Sequence, residues 1–142
     1  MDILCDTNVI LTSLTGREDP FLEACDRILL LAASAKIRAW IAFHSLSTIW
    51  YVLRKLKGEG ETRLLLESVC QAFDVAAATH EQVIQAVQNH TFRDFEDCLQ
   101  DECAQSVNAQ YLVTCNIKDF ASSKTPALTP GQFLGIVNEA EC

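Results

Sequence analysis

No stretch of this sequence is apolar for long enough to cross a bilayer. The longest runs, Ile28–Ala33 and Ala39–Phe43, fall far short of the ~20 residues a spanning helix needs. A basic start followed by an apolar stretch is also missing, so no secretory signal is expected and the chain reads as soluble and cytoplasmic. Proline and glycine are scarce, at three and five residues, which excludes collagenous, linker-rich and turn-dominated architectures. Cations are in deficit too: eleven Lys and Arg against nineteen Asp and Glu give a formal net charge of −8. Phosphate backbones are bound mainly through Lys and Arg, which argues against a simple nucleic-acid-binding module. Contact with nucleic acid would need a local basic patch, a metal ion or a basic partner. There are seven cysteines but no C-x-x-C pair and no Cys/His cluster, which argues against structural zinc. Most of these thiols read as small buried hydrophobes.

What is present suits one packed domain spanning residues 1–142. The chain is 49% hydrophobic, enough for a core, and shows no internal repeat. Asp2–Cys5 reads as a buried strand ending in the polar turn Asp6-Thr7-Asn8. Pro20 opens a helix with Asp19 as its cap, and Ile37–Ala42 fits a second strand. Ser45 or Ser47 starts a helix reaching Leu56, before a break at Lys57-Gly58-Glu59-Gly60. Thr62–Gln71 is a further helix and Ala72–Val75 a third strand. Thr79 caps the next helix, Phe95–Val107 is helical, Tyr111–Val113 is a fourth strand, and Thr129 caps a final helix over Pro130–Val137. Strands alternating with helices imply crossover connections and a mostly parallel sheet covered on both faces. Ligands of such sheets sit beyond the carboxyl ends of the strands, which directs attention to Asp6 and to Thr114–Asp119.

Three acidic features mark those ends. Asp6 follows the first strand, where it either faces the crevice or caps the next turn. Asp94, Asp97 and Asp101 fall within one narrow helical arc, where like charges repel unless a cation compensates them. Asp94 and Asp97 equally suit a helix start favoured by the dipole. Asp119 lies a turn beyond the fourth strand, after Thr114 and Asn116. Hard carboxylate oxygens of this kind suit Mg²⁺ or Mn²⁺.

Five segments in order resemble the PIN domain family, including VapC-type toxins. Asp6-Thr7-Asn8-Val9-Ile10-Leu11 is similar to the family's opening, and Tyr51-Val52-Leu53-Arg54-Lys55 to the end of one of its helices. Asp94-Phe95-Glu96-Asp97-Cys98-Leu99-Gln100 is similar to its D-F-E-D-A-L-Q stretch. Thr114-Cys115-Asn116-Ile117-Lys118-Asp119-Phe120 looks like T-R-N-x-x-D-F, and Thr129-Pro130-Gly131-Gln132-Phe133-Leu134 like T-P-x-x-F-L. The resemblance implies a three-layer α/β/α, Rossmann-like sandwich and a Mg²⁺- or Mn²⁺-dependent ribonuclease. Asp6, Asp97 and Asp119 would be its catalytic and metal-binding carboxylates, with Asn8, Thr48, Thr114 and Asn116 shaping the site. It further implies an RNA substrate, a small antitoxin protein as partner, and a homodimer.

The sequence departs from the family at two places. Thr48 stands where Glu or Asp is usual, and Cys115 where Arg is common. Both motivate a second reading, a catalytically degenerate PIN-like module that binds RNA or a protein. A third is phosphoryl transfer on Asp6, with Asn8 where dehalogenase-type phosphatases need an acid and Asp74 as a receiver-type acceptor. Cys5 or Cys115 as a nucleophile is a fourth. The remaining features are bland. His44, His80 and His90 have no ligand spacing and read as surface or capping residues. Arg54, Lys55, Lys57 and Arg63 are either RNA contacts or a solvated helix end. Trp40, Trp50 and Tyr51 read as core or dimer-interface residues.

Overall fold

The computed structural model describes residues 1–140. Its strands are β1 (Asp2–Cys5), β2 (Arg38–Ala42), β3 (Phe73–Ala76), β4 (Tyr111–Val113) and β5 (Ala127–Leu128). Its helices are α1 (Thr7–Thr15), α2 (Leu22–Ala33), α3 (Phe43–Lys57), α4 (Glu59–Ala72), α5 (His80–Gln88), α6 (Phe95–Ser106) and α7 (Pro130–Ala140), with a 3₁₀ turn at Ile117–Phe120. The strands form one parallel sheet in the order β3-β2-β1-β4-β5. None of the described helices is long and apolar enough to cross a membrane.

Alternation along each strand divides the core in two. Ile3, Cys5, Ile41, Phe73 and Val113 pack with α1, α2, α3, α4 and α7 on one face. Leu4, Ala42, Ala76 and Leu112 pack with α5 and α6 on the other. The result is the expected α/β/α sandwich. From β1 the chain winds through β2 and β3 to one side, then returns to place β4 and β5 on the other. The crevice at such a reversal is the usual ligand site of an open parallel sheet, and here it lies between the ends of β1 and β4.

Several elements differ from the sequence reading. Residues 7–15 form a helix, not a turn, although Thr, Val and Ile have modest helix propensity. Asp6 caps that helix, and the burial of Val9 and Ile10 outweighs propensity. Helix α2 begins at Leu22, with Asp19 Oδ1 accepting from Phe21 N–H in the turn before it. Helix α3 starts at Phe43 without a side-chain cap, so Ser45 lies buried in its first turn and is not a cap. The expected break after α3 narrows to Gly58, whose φ of 82° favours glycine, and Gly60 falls inside α4. Strand β5 has two residues, too few for a periodic signal. The caps at Thr79 and Thr129 form as expected, each closed by a Gln three residues on.

Buried Asp101 ties α6 to the segment leading into β5: its Oδ2 accepts from Lys124 N–H (2.9 Å) and its Oδ1 from Thr125 N–H (3.1 Å). Asp101→Ala removes the acceptor of the buried Thr125 N–H and of the part-buried Lys124 N–H and is expected to cost about 2–4 kcal/mol in urea denaturation. A loss below about 0.5 kcal/mol, the usual range for surface substitutions, would contradict this anchoring role.

Candidate active site

Because Asp6 is the single residue between β1 and α1, its side chain sits at the carboxyl edge of the sheet and at a helix N-terminus together. Its Oδ1 accepts from Thr7 N–H (2.8 Å) and its Oδ2 from the Thr114 hydroxyl at the end of β4 (2.9 Å). Thr114 Oγ in turn accepts from Asn116 N–H (3.0 Å). Asn8 Oδ1 accepts from Cys115 N–H (3.2 Å), a second tie across the same crevice. The side chains of Asn8 and Thr114 therefore join the ends of β1 and β4, while Asn116 contributes its backbone.

Asp97 lies in the first turn of α6, behind the cap Asp94, whose Oδ1 accepts from Glu96 N–H. Burial pushes the Asp97 carboxyl up to about 7, and Asp6, Asp94, Asp119 and Glu96 push in the same direction. Burial likewise raises Asp6 to about 6, opposed by the bonds from Thr114 and Thr7 and assisted by Glu96 and Asp119. The charges acting on both groups are negative. Asp6, Asp97 and Asp119 are thus within electrostatic reach of one another, with Asp119 exposed on the 3₁₀ turn. Among the described residues, no three His, Cys, Asp or Glu side chains are grouped so that together they could hold a metal ion. Asp101, on the same helical arc, belongs to the anchor described above and not to this cluster.

Four residues that the sequence reading did not assign to the site hold these ends together. Gln100, one turn beyond Asp97 and fully buried, donates from Nε2 to Ser45 Oγ (2.8 Å) and Thr7 Oγ (3.2 Å). The Thr7 hydroxyl donates to Ser45 Oγ (2.7 Å), and His44 Nε2 lies 3.2 Å from Gln100 Nε2. Burial lowers the His44 imidazole below its usual range, while Glu96 pulls it upward. His44 is therefore a partner of the site-supporting network, not a plain surface residue. Gln100 stood within a motif already singled out, but the acids drew the reading. Its three-residue spacing from Asp97 was the available signal. Thr48 is half-buried one turn from Ser45 and, among the described residues, makes no side-chain hydrogen bond.

Other candidates lie elsewhere. Asp74 pairs with Arg38 across neighbouring strands (3.1 Å), away from Asp6, which removes the receiver-type acceptor. Cys5 is completely buried and its thiol is driven far upward by burial, which disqualifies it as a nucleophile. Lys57 and Arg63 pair with Glu61 and Glu59 around the α3–α4 corner. Arg63 also lies over Trp50 and Lys55 over Tyr51.

A family model described as the PIN domain matches residues 2–118. The search of curated proteins finds no match. Among solved structures, VapBC2 from Rickettsia felis, bound to a DNA fragment from its promoter, is similar with a TM-score of 0.67 and 19% identity, covering 91% of this chain and 98% of that one. A toxin–antitoxin complex from Klebsiella pneumoniae is similar with a TM-score of 0.67 and 22% identity, covering 90% and 97%. VapC20 from Mycobacterium tuberculosis, described as a sarcin–ricin loop cleaving toxin, has a TM-score of 0.58 and 19% identity, covering 78% and 86%. At these identities the structures speak for the fold. The family match extends over most of the sequence and includes the ends of both β1 and β4, and with it this chain belongs to the PIN domain family.

Proposed function

We propose that this PIN domain is a Mg²⁺- or Mn²⁺-dependent ribonuclease and the toxin of a toxin–antitoxin pair. The observation that carries the reading is the gathering of acids at the crevice: burial raises both Asp6 and Asp97, Asp6 raises Asp97 further, and Glu96 and Asp119 raise both. Because no three His, Cys, Asp or Glu side chains group to hold a metal among the described residues, a hard divalent ion here would be held by one or two carboxylates and several waters. Asp6 and Asp97 would hold it, with Asp119 reaching it directly or through water. Such an ion lowers the pKa of a bound water and offsets charge on the phosphoryl oxygens. The chain's own contribution is positional. Thr114 and Thr7 N–H keep Asp6 aimed into the crevice, and Gln100 ties the start of α6 to Thr7.

Similar folds in VapBC assemblies support a small antitoxin as partner, and the similar fold of VapC20, described as a sarcin–ricin loop cleaving toxin, supports RNA as substrate. An apolar groove lined by Leu14, Leu29, Leu30, Val69, Ala72 and Phe73 offers such a partner a place to bury side chains. Exposed Phe43, Leu56 and Leu64 provide further apolar surface for a homodimer or the antitoxin. The competing reading, a PIN-like module that binds without cutting, is favoured by Thr48 and Cys115.

Asp6→Asn and Asp97→Asn are each expected to lower Mn²⁺-dependent RNA cleavage by at least ~100-fold, the upper end for losing even an outer-shell partner of a metal. Equal cleavage by wild type and variants would refute the site; absence of both cleavage and metal binding would favour the non-catalytic module. Metal affinity measured by calorimetry should rise with pH through about 6 to 7, because bound metal displaces the protons of Asp6 and Asp97. The metal-free protein should behave oppositely. Both carboxyls are raised above the unfolded value of 3.8, so the folded state holds more protons and stability falls as pH rises from about 4 to about 7. Asp97→Asn should reduce that fall in thermal melts, and an unchanged slope would count against the shifts. Arg93 and Lys118, exposed beside Asp94 and Asp119, are the basic residues nearest the site in sequence. Replacing either by Ala should weaken RNA binding and reduce the salt slope by about 1. An unaltered slope would place the RNA path elsewhere.

A further inference from the structure

Two thiols far apart in sequence meet beside the crevice. Cys25 projects from α2 and Cys115 from the segment after β4, and their sulfurs lie 3.9 Å apart. A disulfide needs about 2.05 Å, so the gap to be closed is about 2 Å. Among the described residues no other two sulfurs approach this closely. The pair has an inner and an outer member: Cys25 is fully buried, whereas Cys115 is half-buried at the rim. Its spacing to Asn8 and Thr114 makes it part of the wall of the site. Ordinary packing of cysteine as a small hydrophobe accounts for Cys5 and Cys103. It does not account for a thiol at the rim directed at a second thiol behind it.

We propose that Cys25 and Cys115 form a redox-active dithiol, a modification site at which hydrogen peroxide closes a disulfide between α2 and the segment carrying Thr114 and Asn116. Cys115 is the member that peroxide reaches at the rim, and its thiol is lowered by its hydrogen bond with Cys25 and by Thr12, against burial, Asp19 and Asp6, so Cys115 is the member that attacks. Its thiolate sulfur bonds to one peroxide oxygen and the O–O bond breaks. The departing hydroxide takes up a proton and leaves as water, and Cys115 becomes a sulfenic acid. Cys25 then gives up its proton and attacks the Cys115 sulfur, the S–O bond breaks, and a second water leaves. Two thiols and one peroxide give one disulfide and two waters; the sulfurs are oxidised and the peroxide is reduced.

Closing the bridge displaces Cys115 relative to α2, and the displacement is transmitted along two bonds already described. Cys115 N–H donates to Asn8, and the preceding Thr114 hydroxyl donates to Asp6. The oxidation state of the pair therefore alters the surroundings of Asp6. This inference is independent of nuclease activity.

The test uses the full chain, treated with one equivalent of hydrogen peroxide, alkylated and digested for mass spectrometry. A cross-linked peptide joining Cys25 and Cys115, reversed by dithiothreitol, is the expected result. In Cys25→Ser, dimedone should trap Cys115 as its sulfenic acid; in Cys115→Ser, Cys25 should stay reduced. Amide resonances of Asn8, Thr114 and Asn116 should shift when the wild-type bridge forms. Oxidation confined to exposed Cys70, or a Cys25–Cys115 link that forms only in denaturant, would overturn the proposal. A bridge that leaves those three amides unmoved would overturn the coupling to Asp6. The wild-type measurements decide the matter even if a serine variant fails to fold.

Discussion

A carboxylate that is 6% exposed must either keep a proton or be compensated, and Asp6 has only a backbone N–H and one hydroxyl to compensate it. That shortfall organises the carboxyl edge of the sheet. Asp6 must lie at the junction of β1 and α1 for the helix N-terminus to help it, and β4 must end beside β1 for Thr114 to reach it. The strand order supplies that neighbour, since β4 returns to the open side of β1 after β2 and β3 have filled the other. Placing the start of α6 opposite then adds Asp97, whose own carboxyl is raised by burial and by Asp6. A fold that gathers negative charge in this way is less stable at neutral pH than it needs to be without a cation. In the proposed reading, that cost is accepted because the site is arranged to bind a cation.

The polar cluster under the carboxylates explains how the repulsion is tolerated. Thr7, Ser45, His44 and Gln100 come from α1, α3 and α6, so one set of short contacts joins the three helices that meet at the site. Gln100 Oε1 is buried without a hydrogen-bond partner, as is the Trp40 ring nitrogen. An unpartnered buried oxygen at the centre of such a cluster is a local cost, and it falls where three elements have to be held in one geometry. Asp101, a turn further along α6, does different work from the same helical face by tying down the approach to β5. The same residue type thus meets backbone donors at one turn of α6 and other acids at another.

The sheet was legible because β1 and β4 are apolar runs ending in polar groups and β2 and β3 are largely apolar segments between helices, and the periodicity of α5, α6 and α7 was supported by recognisable caps. Helix α1 was hidden by its β-branched residues, and its existence rests on Asp6 and on packing that no local pattern displays. The short β5 exists because β4 offers it an edge. At the site, Asp6 and Thr114 were readable from strand ends and Asp97 from helical spacing. Ser45, His44 and Gln100 were not, because each matters through partners 38 to 93 positions away. The approach of Cys25 to Cys115 was invisible for the same reason.

Acidity, metal and partner form one problem in this PIN domain. Under the proposed function, a chain of net charge −8 would meet RNA through a cation at the crevice or through few local basic residues, and both routes converge on the same edge of the sheet. The most direct measurement is the anomalous scattering of Mn²⁺ in crystals of the wild-type protein soaked above pH 7. The account predicts a peak shared by the carboxylates of Asp6 and Asp97, with waters completing the coordination. A crevice without a peak, its two carboxylates apart and solvated while the crystal holds Mn²⁺ elsewhere, would contradict it.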